Sequence, residues 1–318
     1  MSRPPHRVTL PMLEGVSASC VALPAGPWPL LVDFLAQRLP AVSPAEWRQR
    51  MAQGRVLDEH GRPLPPEAPF QPQTRVYYYR ELSTEPVIPF EATVLYQDAH
   101  LLVADKPHFL PVTPTGRFVQ QTLLVRLKRQ LGLETLSPIH RIDRETAGLV
   151  LFSVRPQDRG AYQALFRDKT VEKTYEAIAP LRADLPLPAV HRSRIEPDVQ
   201  FFRQREVPGV PNSETHLAVL QVRGDYACYR LSPVTGKTHQ LRVHMNALGR
   251  PIVGDLFYPE VVHGPGHTPD DLKHPLQLLA RSVRFTDPVT GQLRYFESQR
   301  QLDWDDAQTA GVNSTLTS

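Results

Sequence analysis

Five ionisable residues, His140, Arg141, Asp143, Arg144 and Glu145, stand directly before an apolar run from Gly148 to Val154. That run is rich in Val, Leu and Phe and predicts a buried strand entered through a glycine. Charges at the mouth of a core strand are partly desolvated. Asp143, flanked by Arg141 and Arg144, is then a carboxylate held ionised by neighbouring guanidinium groups. The bland alternative is a solvated loop with a surface ion pair, which contributes little. Two other stretches bring reactive side chains together. Lys173-Thr174-Tyr175-Glu176-Ala177 lies in a segment that alternates as a strand does, and Thr235 to Met245 contains Lys237, His239, Gln240, Arg242 and His244.

Taken in order, these stretches resemble the motifs of the RluA-type pseudouridine synthases. His140-Arg141-Ile142-Asp143-Arg144-Glu145-Thr146-Ala147-Gly148-Leu149-Val150-Leu151-Phe152 is similar to the family's H-R-L-D-x-x-T-S/A-G-L-L-L segment, with Ile142 for Leu and, just beyond, Ser153 for Ala. Lys106-Pro107 matches its K-P step, although Phe109 stands near the family's glycine. Lys173 to Ala177 matches K-x-Y-x-A. Thr235 to His244 resembles T-G-R-x-H-Q-I-R-V-H, with Lys237 for Arg and Leu241 for Ile, and Gly249 to Asp255 follows as it does in the family. The resemblance spans roughly Val94 to Phe296.

The resemblance implies an α+β fold with a curved, mainly antiparallel sheet and an enzyme that isomerises uridine to pseudouridine within RNA. Asp143 falls on the catalytic aspartate, Tyr175 on the active-site tyrosine and Arg242 on the charge partner of Asp143. The reaction breaks the C1′–N1 bond, turns the uracil and joins C5 to C1′. It needs no redox step and implies no cofactor. A bare buried carboxylate would protonate, so a guanidinium partner is required. Whether the aspartate attacks C1′ or removes a sugar proton stays open. Arg242, between Leu241 and Val243, is expected on a strand, pointing opposite its apolar neighbours. Tyr175 would stack on an extruded uracil, and Arg141 would help to extrude it. Lys106, Lys173, Lys237 and His239 are expected to meet RNA. Two alternatives remain: an RNA-binding protein that keeps the scaffold without turnover, and a glycoside-cleaving hydrolase using Glu145 as a second carboxylate.

Other elements position these residues. Leu31, Leu35 and Leu39 recur at helical spacing and Pro40 ends the pattern. Ser43-Pro44-Ala45-Glu46 predicts a capping box opening a helix through Trp47 and Met51 to Gly54. A short strand at Arg55 to Leu57, a turn at Asp58 to Gly61 and a strand from Arg75 to Arg80 complete a small α+β domain, residues 1–85. It resembles the S4 RNA-binding domain; Arg48 and Arg55 are its candidate phosphate contacts, but the turn is acidic and lacks an Asn-Gly pair. The catalytic domain is expected over residues 86–302, with a frayed tail at 303–318. Within it we expect strands at Thr93 to Tyr96 and Leu101 to Ala104, and a helix from Leu123 to Leu131 capped by Thr122. A second helix is expected from Pro156 to Asp168. The proline-rich Asp184 to Pro211 reads as a long loop or hairpin, two strands follow around Arg223-Gly224-Asp225, and closing strands fall between Leu276 and Gly291.

Composition adds limits. The chain has 318 residues, 41% hydrophobic, with net charge +3, so an RNA surface must come from local clustering rather than bulk charge. Two cysteines, Cys20 and Cys228, are too few for a disulfide framework and read as packed thiols. No stretch reads as a membrane span or signal peptide, and a cytoplasmic monomer is the default. Twelve histidines invite a metal reading. His239 and His244 are expected on opposite faces of a strand, and His263, His267 and His274 lie in a loop, so no metal site is expected. The implied partner is ribosomal RNA, favoured by the S4-like domain, or transfer RNA.

Overall fold

A computed structural model describes residues 10–80, 85–200, 202–262 and 272–305. Residues 1–9, His263 and His267, and residues 306–318 of the expected tail lie outside them. The chain divides into two compact units, Met1–Glu85 and Pro86–Ser318.

In the first unit, β1 (Ser19–Ala22), α1 (Leu31–Arg38), α2 (Pro44–Ala52), β2 (Val56–Leu57) and β3 (Arg75–Tyr78) follow in order. The strands form an antiparallel sheet in the order β1-β3-β2. The capping box is present: the Ser43 hydroxyl accepts from the Glu46 N–H at 3.2 Å, and the Glu46 carboxylate accepts from the Ser43 N–H at 2.8 Å. Such a cap stabilises a helix by about 1 kcal/mol. Leu31, Leu35, Trp47, Met51, Val56 and Val76 pack into one core. Asp58 is engaged by its own turn, accepting from the N–H groups of His60 and Arg62 and pairing with the Arg62 guanidinium at 2.7 Å.

The second unit begins with β4 (Thr93–Gln97), β5 (Leu101–Lys106), α3 (Leu123–Leu131), β6 (Ser137–Pro138), β7 (Ala147–Ser153) and α4 (Arg159–Arg167). It continues with β8 (Glu172–Pro180), β9 (Val190–Pro197), β10 (Gln204–Val207), β11 (Ser213–Arg223) and β12 (Tyr226–Pro233). It closes with α5 (Gln240–Ala247), β13 (Leu278–Thr286) and β14 (Leu293–Glu297). Among the described residues β4 to β14 form one mixed, mainly antiparallel sheet, with a main path β10-β9-β11-β12-β8-β13-β7-β5-β4. Its parallel contact sets Leu279 and Ala280 of β13 beside Ala147 and Gly148 of β7. Gly148 has φ +108°, and a side chain there would collide with the Ala280 carbonyl. The glycine before the apolar run therefore serves a close backbone approach as well as an unusual dihedral. β7 is buried along its whole length, as its sequence predicts.

Three local readings are corrected. The segment holding Arg242 is the helix α5, not a strand; Gln240 to Met245 are all buried, and a helix enclosed on every side shows no amphipathic period. The stretch from Asp184 to Pro211, read as a long loop or hairpin, holds the hairpin of β9 and β10. Asp287 to Gly291 is a turn between β13 and β14, where the Asp287 carboxylate accepts from the N–H groups of Val289 and Thr290. Helix α4 begins at Arg159, three residues after Pro156. Cys228 is buried as expected, but Cys20 is exposed.

Candidate active site

Asp143 lies on the loop between β6 and β7, with its side chain 28% exposed. The loop is fixed from beneath. His140 stacks on Phe166 at 4.5 Å between ring centroids, and its Nε2 accepts from the Leu151 N–H at 3.2 Å. Burial pushes this imidazole down to about 3, so it is neutral and able to accept. Lys106, at the end of β5, is fully buried and donates to the carbonyls of Pro107 and Arg144, both at 2.9 Å. Burial lowers its ammonium to about 7. Lys106 thus ties the loop to β5, and it is fully buried where a contact with RNA was expected.

Arg242 reaches the same point from α5. Its side chain is 1% exposed. Nε and Nη2 donate to the two oxygens of Asp255 at 2.8 and 2.6 Å, and Nη1 donates to Asp143 at 3.3 Å. The rings of Phe257 and Tyr258 flank the guanidinium at 4.9 and 5.4 Å. Asp255 is itself fully buried and accepts from the N–H groups of Phe257 and Tyr258. Burial works against the Arg242 charge, but the Asp255 hydrogen bonds and charge outweigh it and raise the group further. Burial pushes the Asp143 carboxyl up; the facing charges of His239 and Arg242 and the hydrogen bond from Arg242 pull it below its ordinary 3.8. Burial lowers His239 below its ordinary 6.5, and Arg242 is the permanent positive charge beside Asp143. Arg144, expected to flank Asp143, instead pairs with Glu145 at 2.8 Å. Glu145 is thereby occupied as an ion-pair partner.

Tyr175 on β8 faces the same pocket, and its hydroxyl is raised by burial and by the Asp143 charge, so it keeps its proton. The pocket is lined by Asp143, Tyr175, His239, Arg242 and Leu278, and shares Asp143, Tyr175 and His239 with a wider groove. Arg141 and Lys237 are exposed on that groove, and Lys173 stands half-buried beside them, its Nζ 3.5 Å from the Thr235 carbonyl. Gln240 is buried and shapes the Thr235–His239 turn: its carbonyl oxygen accepts from the Thr235 hydroxyl at 2.6 Å and the Lys237 N–H at 3.1 Å. Arg48 and Arg55 belong to the first unit, Arg48 being exposed on α2.

Asp255, Phe257 and Tyr258 are site residues that motif reading missed; the nearest signal was the Gly249-to-Asp255 segment, to which no contact could be assigned. The histidines also arrange themselves differently from expectation. His244 is on α5, and its donor atoms lie within 4.8 Å of those of His191 and Glu206. The three side chains come from α5, β9 and β10, which local spacing could not reveal. His191 Nε2 lies 2.8 Å from Glu206, and His244 contacts Ser213 and Thr215, both at 2.9 Å.

A buried arginine that clamps one carboxylate and reaches a second, more exposed one beside a tyrosine fits chemistry at a sugar–base bond. The model of the RNA pseudouridylate synthase family matches residues 100–247. An uncharacterised RNA pseudouridine synthase of Synechocystis is 31% identical over 244 residues, 75% of this chain and 81% of its own length. The dual-specificity RNA pseudouridine synthase RluA of Yersinia pestis is 31% identical over 66% of this chain and 99% of its own. The solved structure of human RNA pseudouridylate synthase domain containing 4 aligns with a TM-score of 0.51 and 26% identity, covering 69% of this chain and 91% of that one. The chain belongs to the RNA pseudouridine synthase family. It is an isomerase that converts uridine in RNA to pseudouridine.

Proposed function

We propose that this enzyme acts on specific uridines of structured RNA with Asp143 as its catalytic carboxylate, Arg242 as the charge partner and Tyr175 as the stacking platform. The observation that carries the reading is the buried Arg242, which donates to Asp143 at 3.3 Å while Asp255 holds its other nitrogens. A charged carboxylate at the pocket floor suits either attack at C1′ or removal of a sugar proton. Tyr175 keeps its hydroxyl proton and offers a ring face to an extruded uracil. Arg141, Lys173 and Lys237 border the groove, where they would meet phosphate or help to open the RNA. The engagement of Glu145 by Arg144 argues against a hydrolytic second carboxylate.

Ribosomal RNA is the proposed target, with transfer RNA the second. The small first unit supports this as an S4-like RNA-binding module, with Arg48 and Arg55 toward phosphate. Relatives include the ribosomal large subunit pseudouridine synthase C of Vibrio cholerae, 32% identical over 60% of this chain. Mapping pseudouridines in total RNA with and without the gene tests the reading. Loss at large-subunit ribosomal uridines upholds it. Loss confined to transfer RNA removes the ribosomal assignment.

A further inference from the structure

His239 precedes α5 with φ +53°, a left-handed backbone that sets its ring between Tyr258 and Asp143. Nδ1 lies 3.1 Å from the Tyr258 hydroxyl, and Nε2 lies 3.9 Å from Asp143 Oδ2. The Tyr258 hydroxyl has two further contacts. It accepts from the Gln204 N–H at 2.8 Å and donates to the Gln204 carbonyl at 3.0 Å. Gln204 starts β10, at one end of the sheet path, where outward backbone groups need partners. A hydroxyl has one proton, and a carbonyl can only accept. The third contact of Tyr258 therefore requires His239 Nδ1 as the donor. A neutral imidazole holds one proton, so Nε2 carries a lone pair on the Asp143 side of the ring. Phe257 and Tyr258 fix the ring, at centroid distances of 5.8 and 5.9 Å. Asp143, Arg242, Asp255, Glu145 and the Tyr258 hydroxyl are the ionisable groups around it; burial, the largest influence, keeps it below its ordinary 6.5.

The isomerisation leaves one proton to move. Once C5 has bonded to C1′, the C5–H bond breaks and its electron pair restores the C5–C6 double bond. N1, which left C1′ with its electron pair, gains a proton. Tyr175 and Arg242 hold their protons at neutral pH, and Asp143 is occupied with the sugar. Resting on that reading of Asp143, we propose that His239 Nε2 accepts the C5 proton and returns it to N1. His239 is thereby a catalytic base rather than a phosphate contact.

The test uses His239→Asn in the full chain. Asn tolerates a left-handed backbone and retains an N–H donor near Tyr258, but has no basic nitrogen. The expected result is a kcat lower by about 100-fold with RNA affinity unchanged. A primary isotope effect on 5-deuterated uridine RNA should exceed the wild-type effect, because C5–H cleavage becomes limiting. RNA carrying 5-fluorouridine, which has no C5 proton, should be consumed at the wild-type rate. Undiminished kcat, or equal losses on both substrates without an isotope effect, would overturn the proposal. If the Asn variant fails to fold, His239→Gly assayed with added imidazole replaces it: recovered turnover upholds the base, and no recovery overturns it. A fully active His239→Asn beside an inactive Asp143→Asn sinks the base alone, whereas an active Asp143→Asn sinks the reading on which it rests.

Discussion

Arg242 gives Asp143 only one of its nitrogens, at 3.3 Å, because Asp255 holds two others at 2.8 and 2.6 Å. The arginine is thus anchored by the inner carboxylate and offered to the outer one. Asp255 sets the position of the charge and Asp143 is left open to the pocket. The relation makes the two aspartates separable by experiment.

Asp143→Asn is expected to lower pseudouridine formation by about a thousandfold or more, with folding and RNA affinity retained. The amide keeps the shape and loses the charge. Tritium release from 5-tritiated uridine RNA measures it; activity within tenfold of wild type would remove Asp143 from the chemistry.

Asp255→Ala is expected to act on stability first. It leaves a fully buried guanidinium without its bidentate partner, a loss of about 3–5 kcal/mol. Urea denaturation should show a lower midpoint than Asp143→Asn gives. Equal midpoints would mean that the Asp255 pair contributes little to the fold.

Arg242→Met is expected to move the acid limb of the pH–rate profile. In the native site the facing charges hold the Asp143 carboxyl below its ordinary 3.8 despite burial. Without the guanidinium, burial pushes the carboxyl upward with less opposition. A group that must be ionised then loses activity at a higher pH as acid is added. An acid limb in the same place in both proteins would show that Arg242 does not set the charge of Asp143.

Gly148→Ala is expected to destabilise the second unit by at least about 2 kcal/mol, since φ +108° and the Ala280 carbonyl both oppose a methyl group. The comparison is Gly224→Ala, at a turn with open space around it. Urea midpoints that fall equally would show that crowding at Ala280 adds nothing to the dihedral strain.

Arg48→Glu with Arg55→Glu is expected to weaken RNA binding and to flatten its salt dependence. The slope should fall by about one logarithmic unit for each phosphate that is no longer neutralised. Affinity measured against salt reports it. Unchanged slope and affinity would make the first unit a packing module that does not touch RNA.

Residues with a local signal were legible in sequence. Ser43 and Glu46 are three apart and cap each other; Thr122 accepts from the Val125 N–H at 3.4 Å; Ala147 to Ser153 is apolar throughout and buried throughout. Arg242 misled because Leu241, Val243 and Met245 alternate with polar residues as a strand would. The helix that forms buries those polar residues too. Asp255 was illegible as a partner because nothing in its neighbours shows that the chain returns to α5. His191, Glu206 and His244 meet only after β9, β10 and α5 are assembled.

Strand β13 carries a consequence for the order of folding. It pairs with β8 from Leu278 to Arg284, with β14 from Ser282 to Thr286, and with β7 at Ala147 and Gly148, just beyond the loop that holds Asp143. Every ionisable residue of the proposed active site lies before it in sequence. A nascent chain that has emerged only to Pro275 would therefore hold all the chemistry and lack the strand that joins β7 to β8. Contacts closing over more than about a hundred residues form slowly, because loop entropy opposes them until late. A stalled chain ending there should bind RNA without isomerising it, and competence should arrive only once Leu278 to Thr286 has docked.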